Sequence, residues 1–198
     1  MTGVRPGNAL HGLVSLLVIA AFCTASAARN RTWADAVALW EDAVSKAPNK
    51  IRVLDNLGTV YHMSGKYGEA LRVYQRVIAL EPHLAIHSYG NIGNLFIDTK
   101  EYAKAAEVFT RILAINANDY QSYAGRGKAF YWMGRYEEAV RDLDRAIALS
   151  PAVERYYVYR AEARIKLNDR VRARDDLRTA CSKGWDEGCE RMKELGLE

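Results

Sequence analysis

A pattern that recurs about every 34 residues constrains this chain more than any other feature. Between Ile51 and Leu80, Leu57-Gly58, Tyr61, Tyr67, Ala70 and Tyr74 fall on two stretches of helical period parted by Ser64-Gly65-Lys66. The spelling returns as Ile92-Gly93, Phe96, Tyr102, Ala105 and Phe109, and again as Arg126-Gly127, Phe130, Tyr136, Ala139 and Leu143. A helix-turn-helix of this length cannot bury its apolar face alone, so the copies must stack. The pattern predicts an all-α solenoid whose function resides on a long surface.

Complete repeats fall at about 51–84, 86–119, 120–153 and 154–187, with Ala85 extra. Gly65, Lys100, Gly134 and Asn168 occupy the same turn position. Glycine and asparagine tolerate the left-handed conformation that closes a helix, so a strained or differently shaped turn is expected at Lys100. Gly58, Gly93, Gly127 and Ala161, with Ala70, Ala105, Ala139 and Ala173, mark close helix crossings. Residues 29–50 read as a half repeat, a second helix only, whose stripe Trp33, Ala36, Trp40, Ala43 and Val44 should be buried by the next helix. In the last repeat Arg160 and Arg164 stand where earlier copies are apolar. Residues 186–198 read as a capping helix, with Glu187, Glu190, Arg191, Lys193 and Glu194 facing solvent. The basic stretch before it suits a solvated face laced with pairs such as Arg172 and Asp176, four residues apart.

Residues 1–28 differ from the rest. Arg5 precedes the run LVSLLVIAAF, and Ala25-Ser26-Ala27 follows as small-x-small, the build of a secretory signal peptide. The competing expectation is a single membrane anchor, since residues 9–28 hold no acid or lysine and as a helix would reach roughly 30 Å. Either way the repeats are expected in a cell envelope, of bacterial type: tethered to the inner membrane with the repeats on the extracytoplasmic side, or periplasmic or secreted after cleavage.

The spaced motifs of residues 33–187 resemble the tetratricopeptide family. The resemblance implies a right-handed α-α superhelix of about four to five repeats, with an apolar helix before it and a cap after it. It also implies a concave groove, lined by first helices, that holds a partner's peptide or helix. Arg29-Asn30, Trp33, Leu39-Trp40 and Pro48-Asn49-Lys50 further resemble the junction where bacterial multi-span membrane proteins and O-mannosyltransferases enter such an array. That likeness implies an alternative role as an accessory or detached part of a membrane glycosyltransferase system.

Helical spacing places the groove at Arg52, Asp55, Thr59 and His62, then His87, Gly90, Asn94 and Ile97, then Gln121, Ala124, Lys128 and Tyr131, then Arg155, Val158, Glu162 and Ile165, and the family resemblance adds Asn56 and Asn91. This mixed surface suits a peptide backbone or polar helix. Asp55 and Thr59 do not match the lysine/asparagine/arginine set with which some relatives clamp a carboxyl terminus. Asn56 and Asn91 resemble the asparagine ladder of O-GlcNAc transferase arrays, which grips a peptide main chain; asparagine that merely packs the turn is the other interpretation, and Gly125 and Tyr159 interrupt the ladder. Tyr131, Trp132, Tyr156, Tyr157 and Tyr159 make the second half aromatic, as packing or as interface anchors. Secreted relatives staple consecutive helices with cysteines eight residues apart, which implies a disulfide between Cys181 and Cys189; two small buried thiols are the alternative.

A net charge of +4 does not by itself call for a nucleic-acid partner. Gly125-Arg126-Gly127-Lys128 lacks the remainder of a phosphate loop and falls inside a repeat helix. His83 and His87 are four apart but straddle a loop and a helix start with no evident third ligand, and the sequence holds no zinc-knuckle spacing, nucleophile elbow or dinucleotide fingerprint, so no catalytic residue, cofactor, metal or small-molecule substrate is expected. The expectation is a non-enzymatic scaffold for a protein or peptide partner, touching the membrane through residues 9–28 if that segment is uncleaved.

Overall fold

The turns set the register of the fold. In the computed structural model, which describes residues 36–82 and 86–196, Gly65, Lys100, Gly134, Asn168 and Gly184 all adopt positive φ, between 60° and 89°. The turn at Lys100 is not differently shaped. Glu101 N–H donates to the Phe96 carbonyl across it, just as Lys66 N–H donates to Tyr61 and Arg135 N–H to Phe130. The fold therefore imposes the left-handed conformation on a lysine, and the expected irregularity takes the form of strain.

Among the described residues every regular element is a helix. A helix over 36–46 (α1) precedes α2 (Ile51–Met63), α3 (Tyr67–Leu80), α4 (Ile86–Asp98), α5 (Tyr102–Ile115), α6 (Tyr120–Trp132), α7 (Tyr136–Leu149), α8 (Glu154–Lys166), α9 (Arg170–Ser182) and α10 (Asp186–Glu194). No helix of the described residues is long and apolar enough to cross a membrane. The signal or anchor expected at 1–28 and the start of the half repeat lie outside those residues.

Two compact units are distinguished, Met1–Val73 and Tyr74–Glu198, dividing within α3. In the first, Leu54, Leu57, Val60 and Ala70 are buried, and the Tyr61 hydroxyl donates to Glu41 at 2.6 Å. Burial and that carboxylate push the Tyr61 phenol up to about 12. The apolar stripe of α1 is only partly covered: Ala36, Trp40, Ala43 and Val44 are half-buried, while Val37 is buried and Leu39 is 65% exposed. Full burial of the stripe does not occur, because the helix turns Val37 inward instead.

In the second unit each helix packs on the next from α4 to α10, and α4, α6, α8 and α10 also touch in succession. First helices thus line one side of this unit. Its core is built at small residues, Ala105, Ala129, Ala139, Ala146, Ala161, Ala163, Ala173 and Ala180 being fully covered. Ile97 belongs to this core with Phe109 and Ile112, not to the groove face expected for it. Asp176 is buried too; it binds Arg160 and Arg164, so the expected Arg172–Asp176 pair does not form and Arg172 pairs with Asp169. The residues that should have been apolar in the last repeat are therefore neutralised inside it.

Candidate partner-binding surface

The face shared by α4, α6 and α8 holds an inner cavity of about 410 Å³. From α4 it takes His87, Asn91 and Asn94, spaced four and three apart so that they share one side of the helix. From α6 come Gln121 and Lys128, and from α8 Arg155 and Tyr159. The floor follows from two glycines. Phe109 of α5 is 2% exposed, and a Cβ at Gly93 or Gly125 would stand 2.6 or 2.4 Å from the tip of its ring. A side chain at 125 would have to displace that buried ring, which is a physical reason for the asparagine ladder to stop at Asn91. Asp119, whose carboxylate caps α6 by accepting from Ser122 N–H at 2.9 Å, completes one wall.

A second cavity, also about 410 Å³, lies between α6, α8 and α10. Tyr131, Trp132, Leu143, Val158 and Tyr159 give it apolar walls, and Glu162, Glu187, Glu190, Arg191 and Glu194 surround them. Arg191 bridges Glu162 (2.5 and 3.2 Å) and Glu194 (2.8 Å), and these bonds raise its already high pKa. Burial, then the Glu162 charge, pushes the Tyr131 phenol up. Lys128 and Tyr159 line both cavities, with the ammonium 5.7 Å from the ring centroid. They form the divide between a polar, cationic compartment and an aromatic, acidic one.

The structure brings His87, Asn91, Asn94, Gln121, Lys128 and Arg155 to the inner cavity, and Lys128, Tyr131 and Glu162 to the cap cavity. Arg52, Asn56 and Thr59 are exposed on α2 and Asp55 is half-buried there; these four line neither cavity. Sequence reasoning missed Phe109, Asp119 and Ser122 of the inner cavity. It also treated Glu187, Glu190, Arg191 and Glu194 as a solvated outer face. The signal was present in the first case, since Gly93 and Gly125 are one repeat apart but for two residues, and both face the same ring. In the second, an eight-residue separation alone could not fix the way in which α10 docks. Cys181 and Cys189 are joined in a disulfide across the α9–α10 turn, with Cα atoms 4.8 Å apart.

Family models described as tetratricopeptide repeat match residues 51–84, 86–119 and 120–153. The chain belongs to the tetratricopeptide-repeat family. Among solved structures, it is similar to a tetratricopeptide repeat protein from Parabacteroides merdae (TM-score 0.67, 22% identity, 78% of this chain and 60% of that one). MamA from Desulfovibrio magneticus RS-1 is also similar (TM-score 0.64, 17% identity, 91% and 97%). So is YrrB, described as a tetratricopeptide protein with an unusual peptide-binding site (TM-score 0.61, 16% identity, 82% and 84%). At these identities the likeness speaks for the fold. Human RNA polymerase II-associated protein 3 is 28% identical over 111 residues, 56% of this chain and 16% of that protein. The mouse protein is 33% identical over 111 residues, again 56% of this chain and 17% of that protein. The chain therefore spans about one-sixth of the length of these curated relatives. Tetratricopeptide arrays are scaffolds for protein interaction, and this array has the helix pairs of one.

Proposed function

We propose that this tetratricopeptide chain is a non-enzymatic scaffold that holds an extended segment of a protein partner along α4, α6 and α8, at the cell envelope. The observation that carries the proposal is the convergence of Asn91, Asn94, Gln121, Lys128 and Arg155 on one cavity. Amide side chains both donate and accept, so they can pair with main-chain N–H and C=O alike. Lys128 and Arg155 add positive charge suited to a polar or acidic segment. The envelope location is supported by the signal-like segment at 1–28 and by the Cys181–Cys189 disulfide, since such bonds persist in oxidising compartments.

The test is affinity capture from the membrane fraction with the full chain and with an Asn91→Ala, Arg155→Glu variant. The variant should lose the partners retained by the parent, with helix content and melting unchanged. Capture that survives both changes removes the inner cavity as the site. Mass spectrometry of the same sample reads the N-terminus. A start near Ala28 or an intact segment in the membrane fraction supports the envelope location; a soluble chain with free thiols at Cys181 and Cys189 contradicts it.

A further inference from the structure

The geometry points to the cap cavity as a second binding site, one that takes an arginine side chain presented by a partner peptide. Its size, about 410 Å³, is at the low end for ligand sites and suits one long side chain with its neighbours. The walls are aromatic and aliphatic. Trp132 is 54% exposed yet fixed, stacked on Tyr102 at 6.0 Å and met edge-on by Tyr131 at 5.3 Å. A large exposed indole held in place on both counts is an anchor that loses little entropy on binding.

Charge selects the occupant. Glu162, Glu187, Glu190 and Glu194 line the cavity against Lys128 and Arg191, an acidic excess in a chain that is basic overall. Arg191 satisfies Glu162 and Glu194. Glu187 accepts from the neutral Trp185 indole at 3.1 Å, and Glu190 stands exposed at the rim; neither is in an ion pair among the described residues. Arg191 also shows what these walls do with a guanidinium, which is to grip it between two carboxylates. A guanidinium is flat and more weakly hydrated than an ammonium, so it stacks on a ring face and presents a planar fork that matches carboxylates. Four of the lining residues come from α10, which the disulfide and the packing of Gly188 on Ala180 fix to α9. The site therefore exists as long as the cap is docked. It shares the Lys128–Tyr159 wall with the inner cavity, but its acidic side and Trp132 belong to the cap cavity alone.

The test uses the full chain and two blocked pentapeptides, Gly-Leu-Arg-Phe-Gly and its twin with citrulline, the uncharged isostere, in place of arginine. Binding is read by calorimetry and by the Trp132 indole N–H resonance, assigned with Trp132→Phe. The arginine peptide should shift that resonance and bind about tenfold more tightly than its twin. A Glu187→Gln, Glu190→Gln double variant should melt like the parent and lose the preference. Equal binding of the two peptides, an unmoved Trp132 resonance, or full preference in the double variant would each overturn the assignment. The Asn91→Ala, Arg155→Glu variant should keep the preference, so failure at the inner cavity and failure here give different results.

Discussion

In the α4–α5 repeat the helix crossing is held by carbon. Phe109 seats its ring against Gly93, and Ile92 is buried beside it in sequence. One repeat on from Ile92 and Val108 stand Arg126 and Asp142, joined by two bonds of 2.7 and 2.8 Å. One repeat further, Arg160 grips Asp176 in the same way, at 3.0 and 2.5 Å, and Arg164 adds a third bond at 2.6 Å. These arginines also reach back: Arg126 to Thr110 at 3.2 Å, Arg160 to Asp144 at 2.6 Å. A carbon wedge needs only room, whereas a buried ion pair must be complete, because a charge left alone in the interior is costly. The second half of the array has exchanged tolerance for a seam that links consecutive repeats in one register.

Breaking that seam should produce the largest effect. Asp176→Ala removes the buried carboxylate from two guanidinia, each 15% exposed or less, and leaves them only the half-exposed Asp144. The expected loss is about 3–5 kcal/mol, seen in urea unfolding of the full chain. The comparison is sharpened by rewriting the seam in the apolar spelling, with Asp176→Val, Arg160→Ile and Arg164→Phe together. Replacing a buried ionic group by packed carbon is often neutral or better, so the triple variant should recover most of the loss. If it stays as unstable as Asp176→Ala, charge is not what separates the two halves.

The carbon side has its own breaking point. Gly125→Ala places a methyl 2.4 Å from a ring that is itself buried, so Phe109 or α6 must move. Overpacking of this kind costs about 1–3 kcal/mol. It should also close part of the inner cavity, whose floor is that ring. Gly134→Ala is the matching control: it meets nothing within 4 Å but sits at φ +76°, so it strains the backbone and leaves the cavity intact. Calorimetric melting separates the stabilities, and loss of partner capture in Gly125→Ala alone ties the effect to the cavity.

The helix pairs were legible because their cause is periodic: small residues at crossings and left-handed turns recur at fixed intervals. The groove was legible in part. Spacing alone put Asn94, Lys128 and Arg155 on one face, and the family resemblance added Asn91, but neither gave warning that Lys128 and Tyr159 divide that face in two. Nor could it show that Arg160 belongs inside, since an arginine in a degenerate repeat looks like a surface residue until Asp176, a whole helix away, is seen to meet it. The cap is the extreme case. Its acidic residues satisfy the requirement for a polar end, and only the docking of α10 against α8 turns some of them toward a cavity.

The smallest expected effect separates strain from sequence. Lys100 holds φ 63° in a turn whose hydrogen bonds match those at Gly65, and Asn168 holds φ 60° two repeats later. An L-residue pays about 1–2 kcal/mol for that conformation, and a glycine returns roughly 0.5–1 kcal/mol of this through its freer unfolded chain. Lys100→Gly should therefore stabilise by somewhat under 1 kcal/mol, a rise of about 2 °C in melting temperature for a chain of this size. Lys100→Asn should fall between, since asparagine tolerates the left-handed region better than lysine but less well than glycine. Lys100→Ala keeps the strain and should not stabilise. Should alanine raise the melting point as much as glycine, the gain would come from removing the lysine side chain, and the turn would be unstrained.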